Sequence, residues 1–277
     1  MVFSESIELK TPAQIASMRA AGLVVARTLE ALRPRVVPGV TTAELDQFCR
    51  ERLAAEGATS NFLNYHGFPA TICISVNDEI VHGIPGSRTI SDGDLVSLDF
   101  GAIVDGWHGD SAITVEVGNT SAEVAELNRV TEEALWRGIA AAKIGGKVGD
   151  ISHAVGSYVK SQAKLSGGRY GITEGFTGHG IGSALHQSPD VPNTGRRGKG
   201  AKIVAGMALA IEPMITLGTS RAAILEDEWT AVTTDGTWAA HHEHTITVTE
   251  TGVWVLTALD GGAARLAELG VPCGAPT

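Results

Sequence analysis

The sequence predicts an α+β protein. Three observations carry this reading: a turn followed by an amphipathic helix that occurs twice, a series of short apolar strands, and a β-hairpin between the repeats whose tip is Asp105-Gly106. The first helix opens at Thr11-Pro12, where Thr caps and Pro suits the first helical position, and runs to about Leu32. Ile15, Met18, Leu23 and Leu29 supply its apolar positions. After the turn VVPGV, Thr42 is the expected cap of a second helix with Leu45, Phe48 and Leu53 on one side.

The pattern then returns. A helix is expected over 121–143, followed by a glycine turn and another helix. Aligning Gly39 with Gly145 places Glu44 on Asp150, Leu45 on Ile151 and Leu53 on Val159. This predicts a duplication within one domain over 1–260, with halves of roughly 10–118 and 119–258 and a site between them. Strands are expected near 71–77, 95–104, 107–117, 174–181, 207–217, 229–234, 243–249 and 252–257. The loop TGRRGKGA, 194–201, is basic and glycine-rich but lacks the Ser or Thr that follows Lys in a phosphate-binding loop, so it reads as solvated. Residues 261–277 form a Gly/Ala/Pro-rich tail expected to fray.

Composition narrows the function. The chain has 277 residues, 43% hydrophobic and 19% charged, which supports a sizeable core. A net charge of −10 argues against nonspecific nucleic-acid binding. No secretory signal pattern and no apolar run long enough for a membrane span are evident, and Cys49, Cys73 and Cys273 form no CxxC pair. These features point to a cytoplasmic location.

The hairpin raises the chemical question. With Asp105-Gly106 at the tip, Val104 faces Trp107, so Asp99 opposes Ala112 and Asp110 opposes Gly101. Both aspartates then project from one face as diagonal neighbours about 7–8 Å apart. Two anions in an apolar setting repel and lose hydration. The hairpin contains no Lys or Arg, so a cation is the expected partner. Glu212 ends the apolar strand of MALAIEPMI, Glu243 begins the strand of HHEHTITV, and His179 lies between glycines in FTGHGIG. His241, His242 and His244 suit either a metal tract or a flexible surface cluster.

The motifs HGDS after LDF, then GHGIG, AIEPM and EHT, in this order, resemble methionine aminopeptidase of type I over roughly 10–258. The resemblance implies the pita-bread fold, two pseudo-twofold-related halves of mixed or antiparallel sheet backed by helices. It implies a dinuclear centre held by Asp99, Asp110, His179, Glu212 and Glu243. That donor set suits Mn, Fe(II), Co or Zn. It implies that Glu212 also shuttles a proton, that Asp110 and Glu243 bridge both ions, and that metal-activated hydroxide is the nucleophile. No GxSxG elbow competes for that role. By the same resemblance His186 steadies the substrate carbonyl and His82 assists the leaving amine.

The specificity slot implied by the resemblance comprises Phe62, Tyr65, Phe68, Cys73, Leu185 and Trp229, an apolar, sulfur-tolerant lining for a methionine side chain. Leu185 stands where a bacterial relative can carry Phe, and Phe62 replaces a smaller residue, so the slot's shape departs from the pattern. Type I is favoured because no long helical insertion separates His179 from Glu243 and the chain starts almost at its first helix. The implied activity is removal of N-terminal methionine from nascent proteins with a small second residue. The rivals are a prolyl-directed metallopeptidase of the same fold and a non-catalytic binding homologue. The resemblance allows transient association with the ribosome; a monomer with no nucleic-acid or membrane partner is expected.

Overall fold

The computed structural model describes residues 6–168 and 170–275. The expectations for 1–5, 169, 276 and 277 lie outside the described residues. The long helices are α1 (Pro12–Leu32), α2 (Thr42–Glu56), α3 (Ala122–Ala141) and α4 (Val148–Ser166), with a short α5 (Ala263–Glu268). Among the described residues, all strand pairings in the four sheets are antiparallel.

Local chemistry sets the helix starts. At α1 the Thr11 hydroxyl accepts the Gln14 N–H while the Gln14 side chain accepts the Thr11 N–H, a reciprocal cap. The second cap falls one residue earlier than expected, at Thr41, because the Glu44 carboxylate accepts the Thr41 N–H at 2.8 Å. Thr42 is instead buried, its hydroxyl exchanging hydrogen bonds with the Gly86 backbone. Asp150 repeats the role of Glu44, accepting the Lys147 N–H at 2.7 Å. Gly39 and Gly145 both have positive φ, and their N–H groups donate to the carbonyls of Ile90 and Ile203. Leu45 and Leu53 are buried, as are Ile151 and Val159. The aligned positions therefore share hydrogen bonds as well as burial.

The hairpin Leu95–Val104 and Trp107–Glu116 has the expected register throughout, from Val104↔Trp107 to Leu95↔Glu116. Asp105 and Gly106 both have positive φ, as a right-twisted two-residue turn requires. Leu95–Val104 also pairs with Ile72–Val76 and Thr59–Ser60, and α1 and α2 cover the back of this sheet through Val25, Leu29, Leu45 and Leu98. A five-stranded sheet joins Gly252–Val255, His244–Thr249, Ala208–Ile211, Gly178–Gly180 and Gln187–Val191. It packs on α3 and α4 through Leu135, Ile139, Ile151, Leu209 and Ile246.

Two differences from expectation have clear causes. The strand expected over 207–217 splits into Ala208–Ile211 and Met214–Thr216, because Pro213 has no N–H to continue a ladder. The tail does not fray within the described residues: Leu266 is fully buried, and Cys273 bridges to Val253. Nearby, the Arg19 guanidinium gathers the carbonyls of Leu256, Ala258 and Leu259 onto α1.

The approach of α1 to the rest of the chain depends on Gly22. A Cβ there would lie 2.2 Å from the Leu256 carbonyl oxygen, and one on Gly109 would lie 2.8 Å from the Gly22 nitrogen. We expect Gly22→Ala to lower stability by about 1–3 kcal/mol, although alanine is the better helix former by roughly 1 kcal/mol. The midpoint of equilibrium urea unfolding checks this; an unchanged midpoint would mean that the helix can back away.

Candidate metal centre and its slot

The hairpin delivers two acids. Asp99 opposes Ala112 and Asp110 opposes Gly101, and both carboxyls are buried. The chain supplies Glu243 beside them through an antiparallel seam between 110–114 and 241–245. At its centre the Ala112 and Glu243 backbones exchange two hydrogen bonds. On one side the Thr245 hydroxyl accepts the Asp110 N–H at 3.0 Å and donates to the Asp110 carbonyl at 2.8 Å. On the other side the Thr114 hydroxyl does the same for the His241 backbone, at 3.0 and 2.6 Å. Two threonine side chains thus stand in for backbone partners and hold the acids in register.

Glu212 follows the strand break before Pro213, and its carbonyl accepts from the Asn193 side chain at 3.0 Å. His179 lies opposite Ala210 in a strand held closely on both sides. A Cβ on Gly178 would sit 2.4 Å from the Ala210 oxygen and one on Gly180 2.3 Å from the Ser188 oxygen, so only glycine fits either flank. His179 Nδ1 donates to the Gly180 carbonyl at 3.0 Å, which leaves Nε2 as the lone-pair nitrogen, 3.4 Å from a Glu212 oxygen.

The electrostatics are those of a site short of positive charge. No Lys or Arg lines this pocket. Burial pushes Asp99 up to about 7; a hydrogen bond with Asp110 opposes the rise, as in a pair sharing one proton. Asp110, Glu212 and Glu243 are held well above the ordinary carboxylate range, first by burial and then by the charge of neighbouring acids, Asp99 acting on all three. Burial lowers His179 to about 3, so the imidazole is neutral. Asp99 Oδ1, Asp110 Oδ1 and Glu243 Oε1 are sealed from solvent without a hydrogen-bond partner. Orphaned anionic oxygens and a lone-pair nitrogen are what a divalent cation requires. Asp110, His179 and Glu243 offer donor atoms that all lie within 4.8 Å of one another.

The same pocket, of about 120 Å³, is lined by every site residue expected from the sequence. Phe62 and Phe68 meet edge to face at 6.5 Å, and Phe68 meets Trp229 at 5.1 Å. Leu185 and Cys73 are buried beside them. Burial raises the Cys73 thiol well above its usual value, so it is inert wall rather than nucleophile. His186 meets His179 edge to face with ring centres 4.3 Å apart, and its Nδ1 lies 2.7 Å from the Tyr65 hydroxyl. His82 occupies a left-handed conformation at φ 62, a strain typical of functional positions. Burial, then the nearby His186, lowers it to about 4.

The sequence did not single out Thr114, Thr245 or Asn193. His241, His242 and His244 are not a flexible surface cluster: the first two are buried and the third is half-buried. Nor do they converge. His241 stands 4.0 Å from Glu212, His242 bonds Asn128, and His244 bonds Thr257. Strand alternation in HHEH was the available signal, since it puts 241 with 243 and 242 with 244.

Residues 16–250 match the model of metallopeptidase family M24, and the chain belongs to that family. Within it, the chain is 46% identical over 248 residues to methionine aminopeptidase 1 of Bacillus subtilis, covering 90% of this chain and 98% of that protein. It is 45% identical over 249 residues to methionine aminopeptidase 1 of Mycobacterium tuberculosis, covering 90% and 94%. The crystal structure of methionine aminopeptidase from Thermotoga maritima superposes with a TM-score of 0.88 at 40% identity, covering 91% of this chain and all of that one. The fold is the α+β pita-bread fold that the motifs implied.

Two outcomes are expected. Thr245→Val leaves two buried backbone groups of Asp110 unpaired, at about 1–3 kcal/mol each, and weakens metal affinity by about 10- to 100-fold; calorimetric titration with Mn(II) checks the second. In metal-free protein the Asp99 carboxyl holds its proton up to about 7, and a cation can bind there only as that proton leaves. Mn(II) should therefore raise the melting temperature of chelator-treated protein more at about pH 8 than at about pH 5; a metal-induced gain independent of pH would contradict this.

Proposed function

We propose that this chain is a metal-dependent aminopeptidase that removes the N-terminal methionine of nascent proteins whose second residue is small. The observation that carries the reading is the convergence of the buried acids Asp99, Asp110 and Glu243 with the half-buried Glu212 and one neutral imidazole, without a lysine or arginine, in an apolar aromatic slot. Asp99, Asp110, His179, Glu212 and Glu243 would hold two divalent cations, drawn from Mn, Fe(II), Co and Zn. Bound there, the cations polarise the scissile carbonyl and acidify water at neutral pH.

The side chains carry the remaining work. Phe62, Phe68, Leu185 and Trp229 exclude water around an unbranched apolar side chain, and their ring edges suit a thioether sulfur. Divalent cations held there would also take a free N-terminal amine as a ligand, which an internal peptide bond does not offer, and this makes the enzyme an exopeptidase. Glu212, whose carboxyl burial disposes to take up a proton, passes that proton towards the departing amine. His186 steadies the oxygen of the carbonyl under attack, with Tyr65 setting its ring orientation. His82 stands beside Trp229 for the leaving group. Unpaired cysteines and nascent-chain substrates suit the cytoplasm, with transient ribosome contact.

The decisive assay offers metal-loaded protein Met-Ala-Ser beside a peptide with proline in second place. Release of methionine from the first is expected; a folded, metal-loaded sample that leaves it intact overturns the proposal. Asp110→Asn should abolish turnover, because an amide is a poor ligand for two cations. His186→Ala should lower kcat by about 100- to 1,000-fold, the scale of one lost donor to a developing oxyanion, with metal content unchanged by elemental analysis.

A further inference from the structure

The segment 6–10 lies against the loop that carries Leu185 and His186, and the mechanism above uses none of its side chains. That loop, residues 181–186, joins the paired strands Gly178–Gly180 and Gln187–Val191. It brings Leu185 to the aromatic slot and sets the His186 ring beside His179. Within it the Gly182 N–H donates to the Ala184 carbonyl at 3.1 Å, and the Gly182 carbonyl accepts the His108 N–H at 3.0 Å. Ser183, Ala184 and His186 are exposed. An exposed loop keeps one shape only where something outside it supplies partners.

Glu8 and Lys10 supply them. The Ser183 N–H donates to Glu8 Oε2 at 3.1 Å and the Ser183 hydroxyl to Glu8 Oε1 at 2.7 Å, so one carboxylate takes both donors of a residue 175 positions away. The Gln187 amide nitrogen donates to the Ser183 hydroxyl oxygen at 3.1 Å. Lys10 Nζ donates to Gln187 Oε1 at 3.3 Å and to the Glu8 carbonyl at 3.0 Å, and lies 3.3 Å from Glu8 Oε2. Glu8, Ser183, Gln187 and Lys10 thereby close a ring of polar contacts across the base of the loop. The Lys10 N–H is fixed in turn by the Gly206 carbonyl at 2.8 Å. Gly182 shows how near the segment comes: a Cβ there would lie 2.3 Å from both Glu8 Oε2 and Lys10 Cε. Lys10 is only 6% exposed. Burying an ammonium is costly, and pairing offsets that cost without a dependable surplus of stability.

We propose that Glu8 and Lys10 are positioning residues: by holding Ser183 and Gln187 they fix the loop in the arrangement that presents the His186 ring to the scissile carbonyl and the Leu185 side chain to the slot. Neither touches substrate. The effect on turnover rests on the role given to His186 above; the effect on the loop does not.

The test compares Glu8→Ala with Glu8→Gln in the metal-loaded enzyme. A glutamine can accept the Ser183 N–H through its oxygen and donate to the Ser183 hydroxyl through its nitrogen, whereas alanine does neither. Glu8→Ala should lower kcat on Met-Ala-Ser by about 10- to 100-fold, the scale of a small misplacement of a catalytic group, with metal content unchanged, and Glu8→Gln should recover most of that loss. In a His186→Ala background Glu8→Ala should cost nothing further, since residues that act as a unit are not additive. The ring-proton NMR signals of His186, assigned by His186→Ala, report its place without substrate, because the ring lies 4.3 Å from that of His179 and 5.4 Å from that of Tyr65, centre to centre. They should shift in Glu8→Ala and return in Glu8→Gln. Signals unmoved in Glu8→Ala, or kcat losses that add in the double variant, would overturn the inference. A parent that releases no methionine while the His186 signals move in Glu8→Ala would count against the proposed function and leave the positioning of the loop supported.

Discussion

Four carboxyl groups occupy a space from which every lysine and arginine is excluded, and the rest of the molecule is arranged around that constraint. Taking an ion out of water costs several kcal/mol even after relaxation. Here the acids also face one another, so the unpaired state is doubly unfavourable. Two apolar cores, one under each large sheet, offset the cost by holding the strands whether or not the charges are satisfied. The raised Asp99 carboxyl and the orphaned oxygens are two signs of the same deficit. A metallopeptidase of family M24 resolves it with divalent cations, and the protein's task is to keep the ligands apart, fixed and dry until those cations arrive.

That task falls on the seam between 110–114 and 241–245. A continuous backbone ladder would have needed paired strands on both sides, and the chain instead places Thr114 and Thr245 at the two ends of one backbone pair. Each hydroxyl both accepts and donates, so no buried backbone group at Asp110 or His241 is left unmet. The alternation of a strand then divides the seam's residues between two faces. Asp110 and Glu243 meet at the front in a slot closed by aromatic rings. Ser111, His242 and His244 meet at the back over a cavity. One short stretch of chain thereby lines two different environments, an acidic slot at the front and a cavity of mixed character at the back.

Much of this was legible in the residues. Asp105-Gly106 determined the hairpin register because a two-residue turn with positive φ leaves no freedom to slip, and the register put Asp99 and Asp110 on one face. Thr11-Pro12 and the paired acids Glu44 and Asp150 marked helix starts through local hydrogen bonds. Less was legible where the partner is remote. Thr41 rather than Thr42 caps α2, because the choice depends on the reach of one carboxylate. The short strands Glu79–Val81, Gln187–Val191 and Ala239–His241 have too few residues to show a period. The apolar strand around Glu212 divides at Pro213, and the glycine- and alanine-rich tail is ordered by a buried Leu266 that composition alone gives no reason to expect.

The sequence by itself therefore determined what is local: hairpin register, helix caps, the types of ligand and, through four short motifs in order, the family. Tertiary structure alone decided what requires distant segments to meet. It chose which of three neighbouring histidines faces the acids and made two threonine hydroxyls into backbone partners. The physical reason is range. A turn or a cap is settled within a few residues, whereas the cost of a buried charge or an unpaired nitrogen depends on every group the fold brings within a few ångströms.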